Sequence, residues 1–303
     1  GLEIAPLVLG GNVFGWTANK PTSFAVLDAF LDAGFNAIDT ADVYSSWVPG
    51  HKGGESETVI GDWMKERGNR DSVVLITKVG FNQGLKAGHI ATAVEDSLKR
   101  LKTDRIDLYF SHKPDPATPI DETLEAHQKL LDAGKIRAVA GSNYDAAGLG
   151  QALDKSGAGR ARYTVLQPHY NLLVRDQYEG ALEDLCLKEG LGVIPYFALA
   201  SGFLTGKYRS EADLGKSARG GGMKKHFNER GLKILAALDS VSKAHNATPA
   251  QVALAWLMAR PSVTAPIASA TSVAQLKELA PAACLKLTAE DTKALDIWET
   301  TNG

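Results

Sequence analysis

Short apolar runs rich in β-branched residues alternate along the chain with longer stretches in which apolar residues recur every third or fourth position. The short runs are "PLVLGG" (6–11), "NAIDT" (36–40), "VVLITKV" (73–79) and "IDLYFSH" (106–112). They continue with "RAVAGSN" (137–143), "YTVLQPH" (163–169), "GVIPYFAL" (192–199) and "VTAPIAS" (263–269). Apolar residues on both faces of such short runs predict parallel strands covered on both sides. Between them, Phe24, Leu27 and Leu31 share one helical face, as do Ile90, Val94, Leu98 and Leu101. Leu124 and Leu131 belong to another stripe, which stops at "DAGK" with Gly134 as the C-terminal cap. "DQYEGALEDLCLKEG" (176–190) repeats the pattern and ends at Gly190. "TPAQVALAWLMARP" opens with Thr248-Pro249, a helix-start signal, and stops before Pro261.

Eight strands alternating with helices predict an α/β chain folded as a (β/α)8 TIM barrel. Residues 1–303 read as a single domain with long loops at the C-terminal face of the barrel. An open doubly wound sheet is the competitor, but it would carry GxGxxG in its first βα turn, where this chain has "GGNVFG". The longest irregular stretch, "RSEADLGKSARGGGMKKHFNERG" (209–231), admits two readings: a loop over the barrel mouth, or a solvated surface excursion.

Composition narrows the partners. The chain is 44% hydrophobic and 22% charged, with 33 basic against 35 acidic residues and a net charge of −2. That balance points away from nucleic acid and from an anionic membrane surface. No apolar run reaches the roughly 20 residues needed to span a bilayer. "GLEIAPLVLGGNVFGW" lacks the basic start and cleavage pattern of a signal peptide. Cys186 and Cys284 have no CxxC spacing, as expected of reduced cysteines in a cytoplasmic protein. His112, His169, His226 and His245 are scattered with no HxH pair, so no metal is expected.

In such a barrel the chemistry sits at the C-terminal ends of the strands. Asp39 ends the second run, with Tyr44 in the loop after it; Lys78 closes the third and His112 the fourth. Ser142 and Asn143, Gln167 and Tyr196 stand at the next three ends. Taken singly, each has an ordinary reading: Asp39 as a helix cap, Lys78 as a solvent-reaching charge, His112 as a satisfied core histidine. Together they suit carbonyl chemistry. A phenol, with an ordinary pKa of about 10, is a poor proton donor at neutral pH. An ammonium beside it favours the phenolate, and a carboxylate offsets the cost of burying that ammonium. A histidine nearby can donate to a substrate carbonyl and orient it. Asp42 reads as a loop or capping residue.

These residues resemble the aldo-keto reductase superfamily over essentially the whole chain. "IDTADVY", "GGESETVIG", "ITKVG", "IDLYFSH", "AGSNY", "LQPHYNLL", "LASGFLTGKY" and "IASATSVAQLKEL" are similar to its successive blocks, in the same order. The resemblance implies a catalytic tetrad of Asp39, Tyr44, Lys78 and His112, with Tyr44 as proton donor. It implies Ser142, Asn143 and Gln167 at the nicotinamide carboxamide and Tyr196 stacked on its ring. Leu199, Ser201, Gly202 and Lys207 lie in the block that wraps the pyrophosphate, with Phe197 just before it. Ser269, Thr271, Gln275 and Glu278 fall in the block that holds the adenosine end. The implied activity is NAD(P)(H)-dependent interconversion of an aldehyde or ketone with its alcohol, on a small-molecule substrate.

The chain departs from the family pattern in three places. The cation that commonly holds the NADP(H) 2′-phosphate is missing from the run Ser269, Ala270, Thr271, Ser272, and the block ends in Leu279 where an asparagine is usual. NADP(H) is thus the expectation from resemblance, with NAD(H) or dual use left open. The common Ser-Pro after the stacking aromatic is Phe197-Ala198. "SSWVPGHKGG" (45–54) lengthens the loop after Tyr44, and Trp47 with Trp16 either shapes a substrate pocket or packs the rim. Two other functions compete: a nicotinamide-binding regulatory subunit with little turnover, and, ranked last, a metal-dependent barrel hydrolase. A monomer or weak homo-oligomer fits the balanced charge.

Overall fold

The computed structural model describes residues 1–216 and 220–297. The strands are β1 (Val8–Gly10), β2 (Ala37–Asp39), β3 (Val74–Val79), β4 (Ile106–Ser111), β5 (Ile136–Ser142), β6 (Tyr163–Gln167), β7 (Gly192–Val193) and β8 (Ile267–Ala268). Among the described residues they form one eight-stranded sheet, ordered β7-β6-β5-β4-β3-β2-β1-β8, with every adjacent pair parallel. Backbone hydrogen bonds join the two ends of that order. Thr264 N–H donates to Val193 O at 2.8 Å, and Ile267 N–H to Pro195 O at 2.9 Å. The sheet therefore closes into the (β/α)8 barrel that the alternating pattern predicts.

The helices are α1 (Lys20–Asp32), α2 (Glu55–Arg67), α3 (Ala87–Leu101), α4 (Ile120–Asp132), α5 (Ala146–Asp154) and α6 (Ala181–Glu189). After them come α7 (Glu229–His245), α8 (Pro249–Met258), α9 (Val273–Leu279) and α10 (Ala289–Leu295). Their ends follow local chemistry. Asn19 accepts from Thr22 N–H ahead of α1, and Thr248 and Gln251 form a reciprocal capping box on α8. In α2, Glu55 and Glu57 occupy the first turn, Lys65 and Arg67 the last, and left-handed Gly68 ends it. Gly61 lets α2 close on α3, since a Cβ there would sit 2.2 Å from Arg100 O. Among the described residues no helix is long and apolar enough to cross a membrane.

Side-chain parity divides the core into two layers. Val8, Ala37, Ile76, Leu108, Phe110, Ala140, Ile194 and Ile267 pack together inside the barrel, with Val165 against them. Their strand neighbours Leu9, Ile38, Leu75, Tyr109, Val139, Leu166 and Val193 face the helices instead. Because strand side chains alternate with period two, the residue two beyond each inner one also points inward, nearer the C-terminal mouth. Those residues are Asp39, Lys78, His112, Ser142, Gln167, Tyr196 and Ser269.

Several predicted bounds shorten. The seventh and eighth runs, expected over 192–199 and 263–269, keep ladder pairing only at Gly192–Val193 and Ile267–Ala268. Pro195 and Pro266 have no N–H to donate, so each interrupts its ladder. Helix α6 starts at Ala181, since Gly180 adopts φ 89°, ψ −130° and breaks "DQYEG" from the helix. The stretch 209–231 is more ordered than its glycines suggest. Glu211–Lys216 and Gly220–His226 form 3-10 turns, Met223 is fully buried, and α7 already begins at Glu229. Residues 217–219 of that predicted loop lie outside the described residues.

Candidate active site

At the barrel mouth β3 delivers a lysine to an aspartate from β2. Lys78 is fully buried and Asp39 is 2% exposed, with 2.7 Å between ammonium and carboxylate. The ammonium also donates to Thr40 O at 2.8 Å and to Tyr44 Oη at 3.0 Å, so each of its three protons has an acceptor. Tyr44 Oη donates in turn to Asp39 Oδ2 at 3.2 Å, and Gln167 Nε2 donates to Asp39 Oδ1 at 3.0 Å. Burial pulls the Lys78 ammonium below the usual lysine range, and Asp39 opposes that pull.

His112 closes the group from β4, its ring centroid 6.1 Å from that of Tyr44. Burial, then the charges of Lys78 and Lys113, hold its pKa down to about 2, so the ring is neutral. Its Nδ1 is buried with no partner. A buried N–H without an acceptor is the costlier tautomer, which leaves the proton on Nε2 as a donor. A phenol touching an ammonium, beside a neutral imidazole, can pass a proton to a carbonyl oxygen and stabilise the charge left behind.

These residues open onto a cavity of about 930 Å³. Asp39, Tyr44 and His112 stand on its wall, together with Ser142, Asn143, Gln167 and Tyr196. Lys78 lies behind Asp39 and Tyr44. Ser142 Oγ donates to Gln167 O at 2.9 Å, and Asn143, at φ 61°, donates from Nδ2 to His112 O. Asn143 Oδ1 accepts from Tyr196 Oη at 2.7 Å, and His169 stacks on the Tyr196 ring at 5.2 Å and 20°. Tyr196 is thus fixed at its hydroxyl and braced by His169.

Further along, Phe197, Leu199, Ser201, Gly202 and Lys207 line the same cavity. Ala200, Ser201 and Gly202 all have positive φ (48°, 58° and 107°). Successive residues of this kind curl the backbone into a concave turn suited to an anion, and Lys207 Nζ lies 3.7 Å from where a Gly202 Cβ would be. The far end is formed by Ser269, Thr271, Gln275 and Glu278. Thr271 donates to Gln275 Oε1 from both N–H (2.8 Å) and Oγ1 (3.0 Å). Among the described residues, the cations on the cavity wall are Lys113 and Lys207, and neither belongs to that run. A cavity with amide donors and acceptors, an anion-suited turn, and a further set of hydroxyls, an amide and a carboxylate offers the groups that a dinucleotide needs.

Of the two tryptophans expected to shape a pocket, Trp47 is on the wall and 47% exposed. Trp16 is not on the wall; it packs edge-on against Trp47 at 5.5 Å. None of the described residues of 209–231 lines the cavity either. Instead, His226 and Phe227 pack on Phe203 at 5.4 and 5.2 Å. Sequence reasoning missed Asn12, Thr17, Phe81 and Lys113, which do line it. Phe81 and Lys113 each stand two residues beyond the end of β3 and β4, so reading two positions into those loops would have found them.

Asp42 lies in the loop but caps no helix, and its Oδ1 is buried without a partner. Burial and the Glu57 carboxylate raise its pKa to about 7. The folded chain then binds a proton that the unfolded chain has lost, so this group's contribution to stability falls as pH climbs from 3.8 through about 7. Asp42→Asn is expected to gain about 1–3 kcal/mol at pH 8 and nearly nothing at pH 4, read from urea unfolding at the two pH values. An equal effect at both would contradict the shifted ionisation.

No group of three or more His, Cys, Asp or Glu side chains among the described residues could hold a metal ion. The model of the aldo/keto reductase family matches residues 6–299. The chain is 34% identical to the aldo-keto reductase YhdN of Bacillus subtilis, covering 95% of this chain and 86% of the relative. It is 31% identical to the protein tas of Escherichia coli, with 91% and 88% covered. It is 30% identical to an aryl-alcohol dehydrogenase [NADP(+)] of Phanerodontia chrysosporium, with 98% and 83% covered. With a closed barrel and a match from residue 6 to residue 299, the chain belongs to the aldo/keto reductase family and is an oxidoreductase of carbonyl compounds and alcohols.

Proposed function

We propose that this enzyme reduces an aldehyde or ketone, and runs the reverse oxidation, with Tyr44 as proton donor and a nicotinamide dinucleotide as redox partner. The observation that carries the reading is a fully buried Lys78 ammonium held between the Asp39 carboxylate and the Tyr44 phenol. A bound nicotinamide supplies the hydride to the carbonyl carbon, or takes it back in oxidation. Asp39 keeps Lys78 charged in a site where burial alone would neutralise it. His112 Nε2–H and Tyr44 Oη hold the carbonyl oxygen between them. The Tyr44 proton turns from Asp39 Oδ2 to that oxygen, and Lys78 stabilises the phenolate left behind. Solvent at the open mouth returns the proton.

Ser142, Asn143 and Gln167 would hold the carboxamide, Tyr196 the ring, and the turn from Leu199 to Lys207 the pyrophosphate. Ser269, Thr271, Gln275 and Glu278 would meet the adenosine end. The hydroxyls and the amide there bond to a ribose hydroxyl or to a phosphate, the Glu278 carboxylate only to a hydroxyl, and no positive charge selects the phosphate. The reading is therefore that NADP(H), named in one relative, and NAD(H) are both accepted. Aromatic residues at the catalytic end suit an aromatic carbonyl compound. The proposal takes 1–303 as one domain acting in the cytoplasm on a small molecule.

The test is initial-rate reduction of 4-nitrobenzaldehyde with NADPH and NADH across pH. Turnover with both cofactors is expected. Because His112 stays neutral down to about 2, it should give kcat/KM no inflection between about pH 5 and 8. An inflection there that disappears in His112→Gln would sink the neutral-imidazole role. Both cofactors binding with no turnover of any aldehyde would favour a nicotinamide-binding regulatory subunit.

A further inference from the structure

We infer that the substrate is an aromatic aldehyde carrying an anionic group remote from its carbonyl, and that Lys113 receives that group at the cavity mouth. The inference rests on the oxidoreductase reading and names the substrate class of the same site.

The catalytic end of the cavity is walled by Tyr44, Trp47 and Phe81, with Trp47 and Phe81 47% and 40% exposed. Rings so placed can take an aromatic substrate between them. Phe81 lies against the His112 ring with centroids 4.8 Å apart, and Lys113 Nζ sits 4.8 Å from the Phe81 centroid. The ammonium and the imidazole that would hold the carbonyl thus flank one ring, each 4.8 Å from the Phe81 centroid.

Lys113 has no other task among the described residues. No carboxylate there lies within ion-pair distance of it. Asp115, the nearest acid in sequence, is engaged by Leu85 N–H, Ala117 N–H and Thr118 Oγ1. The other cation on the wall, Lys207, lies by the turn suited to the dinucleotide's pyrophosphate. A cavity needing only an apolar aldehyde would gain nothing from a positive charge at this end. The Phe81 face instead steadies the ammonium without neutralising it.

The experiment compares 4-carboxybenzaldehyde with its methyl ester, methyl 4-formylbenzoate, in the parent protein, Lys113→Met and Lys113→Arg. The ratio of their kcat/KM values is expected to favour the carboxylate about tenfold in the parent, a charge-assisted hydrogen bond's worth. It should fall to about one in Lys113→Met, persist in Lys113→Arg, and shrink with added salt. A ratio near one in the parent, or the same ratio in Lys113→Met, overturns the inference. Binding of the two aldehydes, followed by intrinsic tryptophan fluorescence, separates this inference from the reading beneath it. If neither aldehyde turns over, the aromatic-aldehyde part of that reading falls. A binding preference for the carboxylate that Lys113→Met abolishes still supports the subsite, and equal binding removes it.

Discussion

Tyr44→Phe is expected to lower kcat for aldehyde reduction by about 10²- to 10⁴-fold, the usual range for a lost general acid. The substitution removes one oxygen and little else. The ring that packs against Trp47 at 6.1 Å and His112 at 6.1 Å stays in place. Lys78 keeps its bonds to Asp39 and Thr40 O, so the buried ammonium remains paired. Stability should therefore change by no more than about 1 kcal/mol. Cofactor affinity, read by fluorescence titration, should hold, because no contact among Ser142, Asn143, Gln167 and Tyr196 runs through the Tyr44 hydroxyl. Steady-state kinetics beside that titration decide the matter. A variant as fast as its parent would mean that the proton comes from elsewhere.

Asp39→Ala should destabilise the fold more than any other single change at the site, by about 3–5 kcal/mol at neutral pH. It strands the Lys78 ammonium in a fully buried position and removes the acceptor of Gln167 Nε2. Adding Lys78→Met removes the stranded charge, so the double variant should recover most of the loss. Lys78 already titrates below its ordinary value of 10.5. Between the folded and unfolded values the unfolded chain holds the extra proton, so stability rises with pH. Without Asp39 to oppose burial that window widens downward, so the deficit of Asp39→Ala should shrink as pH climbs toward the parent's lowered Lys78 value and hold steady above it. Urea unfolding of the parent, the two single variants and the double variant across pH is the measurement. A double variant no more stable than Asp39→Ala would show that the ammonium is not what the carboxylate compensates.

Much of the fold was legible because barrel strands are short and covered on both faces, a signal that needs no partner to be seen. Helix ends were legible where one residue decides them, as at Thr248, Gly134 and Gly190. Helix α2 was harder to see. Two of its buried residues, Ser56 and Glu57, are polar, bonding to Gly11 O and Thr40 and to Thr77 and Arg100. Those partners come from other elements, so the apolar stripe of Val59, Ile60, Trp63 and Met64 marks only part of the buried face.

The sequence by itself determined the order of strands and helices and which polar residues stand at strand ends, because both depend on local period and on neighbours along the chain. It also carried the family, through blocks spread from one end to the other. Only the tertiary structure decided which strand-end residues meet. Asp39 and Lys78 are neighbours because parallel pairing of β2 with β3 and the two-residue alternation bring both side chains into the barrel. The same alternation turns Thr77 and Ser111 outward, to Glu57 and to Tyr163, although each adjoins a site residue in sequence. Closure of the barrel decided the rest. It put Phe81 and Lys113, from two different loops, beside His112 at one mouth, and it left Trp16 behind Trp47, since which loops share a rim is fixed by the ring of strands and not by any stretch of chain.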